Sequence, residues 1–145
     1  MKNVVFVAFV LIAALTACGQ NAQKKGNSQT QTAAAVSSTD PNVVQVYYFH
    51  GKTRCATCVA VGDVAQKTVE TAFAGNKKVV FTEINVSDKS NEALAEKYQV
   101  TWNALLIVKG DNLIDITEKA FATAVGNPQS LENLIKQEVN KRLTE

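Results

Sequence analysis

The chain has 145 residues, 46% of them hydrophobic and 19% charged, with two prolines and a formal net charge of +2. That length suits one ordinary domain and leaves no room for two sizeable cores. The small charge, without any Lys/Arg cluster, argues against a nucleic-acid partner, and aromatics at 7% argue against a wholly disordered chain. Three cysteines are too few for a disulfide-stapled miniprotein, so their placement carries more information than their number.

Residues 1–17 read as an export signal: Lys2 gives a positive start, and Val4 to Leu15 is apolar throughout. The run is short for a transmembrane helix and suits the apolar region of a secretory signal. Its ending, Leu15-Thr16-Ala17-Cys18, resembles the bacterial lipobox, in which small residues precede a cysteine that is acylated before cleavage. By that resemblance Cys18 becomes the lipidated first residue of a mature protein. An ordinary signal peptide with an incidental Cys18, or an uncleaved anchor, are the alternatives. Each buried acyl methylene contributes about 0.8 kcal/mol, so two or three chains hold a protein on a membrane durably. Gly19, where an Asp commonly marks retention at the inner membrane, leans towards the outer membrane of a Gram-negative envelope.

Residues 18–42 form the expected tether: behind Cys18 come Gln, Asn, Ser, Thr and Ala with almost nothing large to bury. Such composition cannot repay the entropy of ordering, and a loose coil of this length spans roughly 25 Å. Asp40-Pro41-Asn42 reads as the turn that ends it.

Residues 43–145 are the folded domain. Val43 to Phe49 is rich in β-branched and aromatic residues and reads as a buried strand. Cys55 to about Phe73 reads as a helix, with Cys58, Val61, Ala65, Val69 and Ala72 on one side, stopped by Gly75-Asn76. Lys78 to Val86 is a second strand, and Ser87 or Asp88 caps a short helix through Tyr98 with Leu94 and Tyr98 inward. Ala104 to Val108 and Leu113 to Thr117 are two strands joined by the tight turn Lys109-Gly110-Asp111-Asn112. Ala120 to Val125 reads equally as a helical turn or a loop. Asn127 caps and Pro128 opens the last helix, whose apolar stripe is Leu131, Leu134, Ile135, Val139 and Leu143.

A right-handed crossover makes the first two strands parallel, and the tight turn makes the last pair antiparallel. The expectation is an α/β domain: a mixed four-stranded sheet in the order β-α-β-α-β-β-α, with helices on both faces. That order, with Cys55-Ala56-Thr57-Cys58 between the first strand and first helix, is similar to the thioredoxin family over nearly all of residues 43–145.

At a helix start, free N–H groups and the dipole's positive end favour a thiolate. Cys55 lies nearer solvent and would attack a target disulfide, while Cys58, turned inward, would resolve the mixed disulfide. The family's two functional cysteines carry over onto these same positions. Arg54 adds a positive charge that would favour the thiolate further, or simply faces solvent. His50 is a candidate proton shuttle or a packed strand-end residue, and Glu83 reads as a surface or sheet-end carboxylate. A structural disulfide is the bland alternative, but so short a loop is a poor staple. Cys55, Cys58 and His50 could instead supply an open site for a soft ion such as Cu(I), Zn(II) or trivalent arsenic.

The chain also departs from the family. Val100-Thr101-Trp102-Asn103-Ala104 has no proline where the family carries one facing the cysteines, so Asn103 or a neighbour takes that place. Trp102 then supplies either an apolar contact surface or core packing. The family's buried first-strand aspartate is missing, with Tyr47 in its apparent place, and Ala-Thr between the cysteines matches none of the familiar dipeptides. The expected function is therefore a membrane-tethered extracytoplasmic thiol–disulfide oxidoreductase. It would use protein thiol or disulfide substrates and a membrane electron donor or acceptor, with no cofactor beyond its own cysteine pair. A soft-metal or metalloid binding protein is the alternative.

Overall fold

A computed structural model of the protein describes residues 40–145. The expected signal segment, Cys18 and residues 19–39 of the tether lie outside the described residues. Strand β1 (Val44–His50) is followed by α1 (Ala56–Ala72), β2 (Val79–Asn85), a 3-10 turn (Lys89–Asn91) and α2 (Glu92–Lys97). Then come β3 (Ala104–Lys109), β4 (Asn112–Asp115), α3 (Thr117–Thr123) and α4 (Pro128–Thr144). The sheet order is β2-β1-β3-β4, with β1 and β2 parallel and both β1–β3 and β3–β4 antiparallel. The mixed four-stranded sheet is the one expected from the sequence.

β1 is central and buried on both faces, which explains its nearly unbroken apolar run. Alternate residues serve opposite layers. Val44, Val46 and Tyr48 join Leu105 and Ile107 beneath α1, α3 and α4, where Val61, Ala65, Leu131, Ile135 and Val139 close the core. Tyr47 and Phe49 face the other way with Leu106 and Val108, packed against Leu94 and Tyr98 around α2. Helices thus cover both faces.

Several details differ from the sequence reading. Ala72 is exposed, while Gly62 and Thr68 share the buried side of α1. Asp88 rather than Ser87 caps the short helical segment, accepting from the Ser90 N–H at 2.9 Å. The ambiguous segment is helical as far as Thr123, where α3 ends, and β4 stops at Asp115, two residues earlier than expected. The Asp115 carboxylate takes the Thr117 N–H at 2.8 Å, and the Thr117 hydroxyl accepts the Leu105 N–H at 2.9 Å. These bonds turn the chain off the sheet edge and into α3. In the hairpin, Gly110 adopts φ +55°, a conformation that favours glycine.

Asn127 caps α4 as expected, accepting from Ser130 at 3.2 Å. Its far end holds a buried Arg142, which pairs with Glu138 at 2.9 Å and donates to Asn112 at 3.3 Å, while Lys109 donates to the Arg142 carbonyl at 2.8 Å. This latch ties α4 to the β3–β4 hairpin.

Tyr47 gives the fold a marked alkaline limit. Burial first, then the charge and hydrogen bond of Tyr98, push its pKa from 10.0 up to about 12. The folded domain keeps this proton at pH values where the unfolded chain has lost it. Its stabilising contribution is therefore complete below pH 10.0 and is lost as pH rises towards about 12. Urea unfolding at pH 9 and at about pH 11.5 should show a steeper loss for the wild type than for Tyr47→Phe.

Candidate functional site

The cysteine pair sits where β1 ends and α1 begins. Cys55 is the N-cap of α1, with extended backbone (φ −79°, ψ 166°) and an exposed side chain. Its sulfur accepts the Cys58 N–H at 3.2 Å, so it occupies the position that a Ser or Asp oxygen fills at an ordinary helix start. No acidic residue lies in the first turn to oppose the helix dipole. Three residues on, Cys58 points into the protein and is 6% exposed. The two are joined as a disulfide across a Cα–Cα distance of 5.0 Å. One sulfur is thus accessible and the other sheltered, the asymmetry that stepwise exchange through a mixed disulfide requires.

Cys58 is held from several sides. The fully buried Tyr48 hydroxyl donates to the Cys58 carbonyl at 2.6 Å, and Arg54 Nη2 lies 3.4 Å from the same oxygen. Burial pushes the Tyr48 phenol above its ordinary pKa, with the Arg54 charge opposing, so it remains a donor at neutral pH. The side chain beneath the pair is therefore Tyr48, not Tyr47, which belongs to the opposite layer; β1's alternation decides between the neighbours. Asn103 stands in the place expected for the missing proline and approaches the Cys58 sulfur, Nδ2 to Sγ 3.9 Å.

Arg54 does not stand free in solvent. Its Nη1 pairs with Glu83 Oε1 on β2 at 2.6 Å, and its guanidinium lies 5.4 Å from the centre of the Tyr48 ring. Glu83, read from sequence as a surface carboxylate, is thus a partner of the residue preceding the exposed cysteine. His50 contacts the same carboxylate oxygen through Nε2 at 3.4 Å, while its Nδ1 lies 2.8 Å from the Gly51 carbonyl and its ring stacks on Tyr48. The structure therefore gives His50 to Glu83 instead of to a ligand set with Cys55 and Cys58. Among the described residues no three His, Cys, Asp or Glu side chains gather in a way that could hold a metal ion. Trp102 is 62% exposed, with its ring edge against Gly51, so it is not core packing.

Tyr48 and Gly62 escaped the sequence reading, and so did the partnership of Glu83 with Arg54. Tyr48 and Glu83 are register partners on adjacent strands, a pairing that only the assembled sheet reveals. Gly62 left a visible signal: a lone glycine in a helix interior costs about 1 kcal/mol against Ala and asks for a packing reason. A Cβ there would stand 2.7 Å from Arg54 Nη2 and 2.9 Å from Tyr48 Cε1.

No family model matches the chain, and no curated protein matches it in sequence. Solved structures do match. Human ERp44, form I, is 13% identical with a TM-score of 0.54, over 72% of this chain and 27% of that one. Its form II gives a TM-score of 0.52 at 13% identity, over 70% of this chain and 27% of that one. A thioredoxin of Malassezia sympodialis is 23% identical with a TM-score of 0.49, over 68% of this chain and 77% of that one. This chain spans about a quarter of the length of ERp44. Sheet topology and the likeness to ERp44 define the class: the domain has a thioredoxin-like fold. Within that fold it carries a disulfide-capable Cys-x-x-Cys pair, Cys55 and Cys58, at the N-terminus of its first helix.

The clearance around Gly62 is testable without any substrate. Gly62→Ala should lower the melting temperature although alanine is the better helix former. The Tyr48 ring is fixed in the core and cannot withdraw, and overpacking costs typically about 1–3 kcal/mol. An unchanged or raised melting temperature would show that the first turn tolerates a methyl group there.

Proposed function

We propose that this protein is a thiol–disulfide oxidoreductase acting on protein substrates outside the cytoplasm, tethered to a membrane through lipid on Cys18. The observation that carries the redox reading is the asymmetry of the pair: an exposed Cys55 sulfur capping a helix, disulfide-bonded to a buried Cys58. In the reducing direction the Cys55 thiolate attacks a substrate disulfide. One substrate sulfur leaves as a thiolate, and a Cys55–substrate mixed disulfide forms. The Cys58 thiolate then attacks the Cys55 sulfur, releasing the second substrate thiolate and closing the Cys55–Cys58 disulfide. In the oxidising direction the same steps run backwards. A membrane-bound donor or acceptor of electrons would restore the starting state. The tether is supported by Leu15-Thr16-Ala17-Cys18 after an apolar run. Among the described residues no helix is long and apolar enough to cross a membrane.

Trapping tests the chemistry. Cys58→Ala should accumulate a mixed disulfide between Cys55 and an exported protein, and Cys55→Ala should accumulate far less. Iodoacetamide at mildly acidic pH should modify Cys55 of the reduced protein well before Cys58. Equal labelling of both thiols, no trapped species and tight binding of Cu(I) or trivalent arsenic without turnover of a disulfide substrate would favour a soft-ion carrier instead.

The anchor is tested separately by intact mass. Protein extracted from membranes of its native host should begin at Cys18 and carry a lipid adduct, and Cys18→Ser should block that processing. An unmodified Cys18 in the membrane-extracted protein would remove the tether from the proposal.

A further inference from the structure

Arg54 and Glu83 form a pair whose purpose the fold alone does not explain. Neither is needed to close the core: the Arg54 side chain is 24% exposed and that of Glu83 39%. Yet the guanidinium is guided into one place from three directions. Glu83 Oε1 holds Nη1 at 2.6 Å, the Tyr48 ring lies beneath it at 5.4 Å, and Nη2 stands 3.4 Å from the carbonyl of Cys58. Gly62 keeps the helix surface bare where Nη2 and the ring approach. The position so defended immediately precedes the exposed cysteine in sequence and lies against the backbone of the buried one.

A charge there acts on the cysteine couple. The disulfide is neutral, whereas its reduced form carries thiolate, so a nearby cation stabilises the reduced state and an anion destabilises it. Here the cation has a fixed counter-charge at 2.6 Å on the neighbouring strand. We propose that the Arg54–Glu83 ion pair sets the redox poise of the Cys55–Cys58 couple, with Arg54 favouring the dithiol form and Glu83 offsetting it. Both are positioning residues acting through charge, and neither takes part in a bond that forms or breaks. His50, on the same carboxylate oxygen at 3.4 Å, adds a third group through which Glu83 is shared.

This assignment rests on the oxidoreductase reading, and its test separates the two. The purified protein is equilibrated with glutathione buffers at one pH, and the oxidised fraction is read by alkylation and mass. In that equilibrium two glutathione thiols lose two electrons and two protons and become glutathione disulfide. The Cys55–Cys58 bond takes up the two electrons and, where Cys55 is left as thiolate, one proton, the other passing to the buffer.

The wild type sets the reference. Arg54→Gln leaves the Glu83 charge uncompensated and should move the equilibrium about fivefold towards the disulfide. Glu83→Gln leaves the Arg54 charge uncompensated and should move it about fivefold towards the dithiol. The double variant should return close to the wild type, and Arg54→Lys, which keeps the charge without the planar fork, should shift less than Arg54→Gln. Opposite signs are the signature. A merely structural pair would loosen the first turn of α1 in either variant, moving both in the same direction, and that outcome would overturn the inference. So would equilibria unchanged in both single variants whose circular dichroism matches the wild type. A folded wild-type protein whose disulfide neither glutathione nor dithiothreitol can reduce would remove the oxidoreductase reading itself, and the inference with it.

Discussion

The hydrogen bond from the Tyr48 hydroxyl to the Cys58 carbonyl, 2.6 Å long and fully buried, is the constraint on which the site depends. A neutral hydrogen bond is worth about 1 kcal/mol net, but a buried hydroxyl left without its acceptor costs about 1–3 kcal/mol. The central strand and the first turn of α1 are therefore obliged to meet at one point. Tyr48 is the next-to-last apolar residue of β1, so the meeting occurs at the carboxyl end of the sheet, where open α/β sheets present their reactive groups. Once that turn is pinned, the Cys55 sulfur has to emerge at the surface and Cys58 has to face inward. Gly62 is the concession the helix makes to this contact, giving up propensity so that ring and backbone can approach.

The fold was legible in the sequence wherever periodicity was strong. The alternation of β1, the three-and-four spacing of Val61, Ala65 and Val69, and the Asn127-Pro128 start of α4 each follow from local chemistry. α3 was hard to read because Ala120 and Ala124, its buried side, are small, and its entry depends on a distant bond from Thr117 to Leu105. Arg142 was unreadable for a similar reason. A cationic residue in the last turn looks solvated until Asn112, thirty positions earlier, is folded against it.

Of the site, the cysteines were legible and their surroundings were not. Cys-x-x-Cys at a strand-to-helix junction is a local signal. Tyr48 and Glu83 become neighbours only through a parallel register that brings residues thirty-five positions apart side by side. That register also changes the reading of Arg54, since the charge expected to act alone on Cys55 arrives already paired. On the other side, Asn103 and Trp102 take the segment where a proline was expected. Asn103 offers an amide N–H towards the Cys58 sulfur, a donor that proline lacks, while Trp102 presents its ring to solvent over Gly51.

Stability and chemistry are accordingly carried by different parts of the chain. The two side-chain layers on β1 and the Arg142 latch hold sheet and helices together without the disulfide. Bridging residues only three apart removes little entropy from the unfolded chain, so closing this bond adds little to the fold. Were it opened and the Cys55 sulfur ionised, the cap would become a stronger acceptor for the Cys58 N–H than a disulfide sulfur is. The helix dipole favours that charge by about 0.3–1 kcal/mol. By linkage, whatever the helix end gains from the anionic cap is the amount by which it favours the reduced protein over the oxidised one. A domain built this way keeps its core whether that disulfide is closed or open, because the bond is not among those that keep the protein folded.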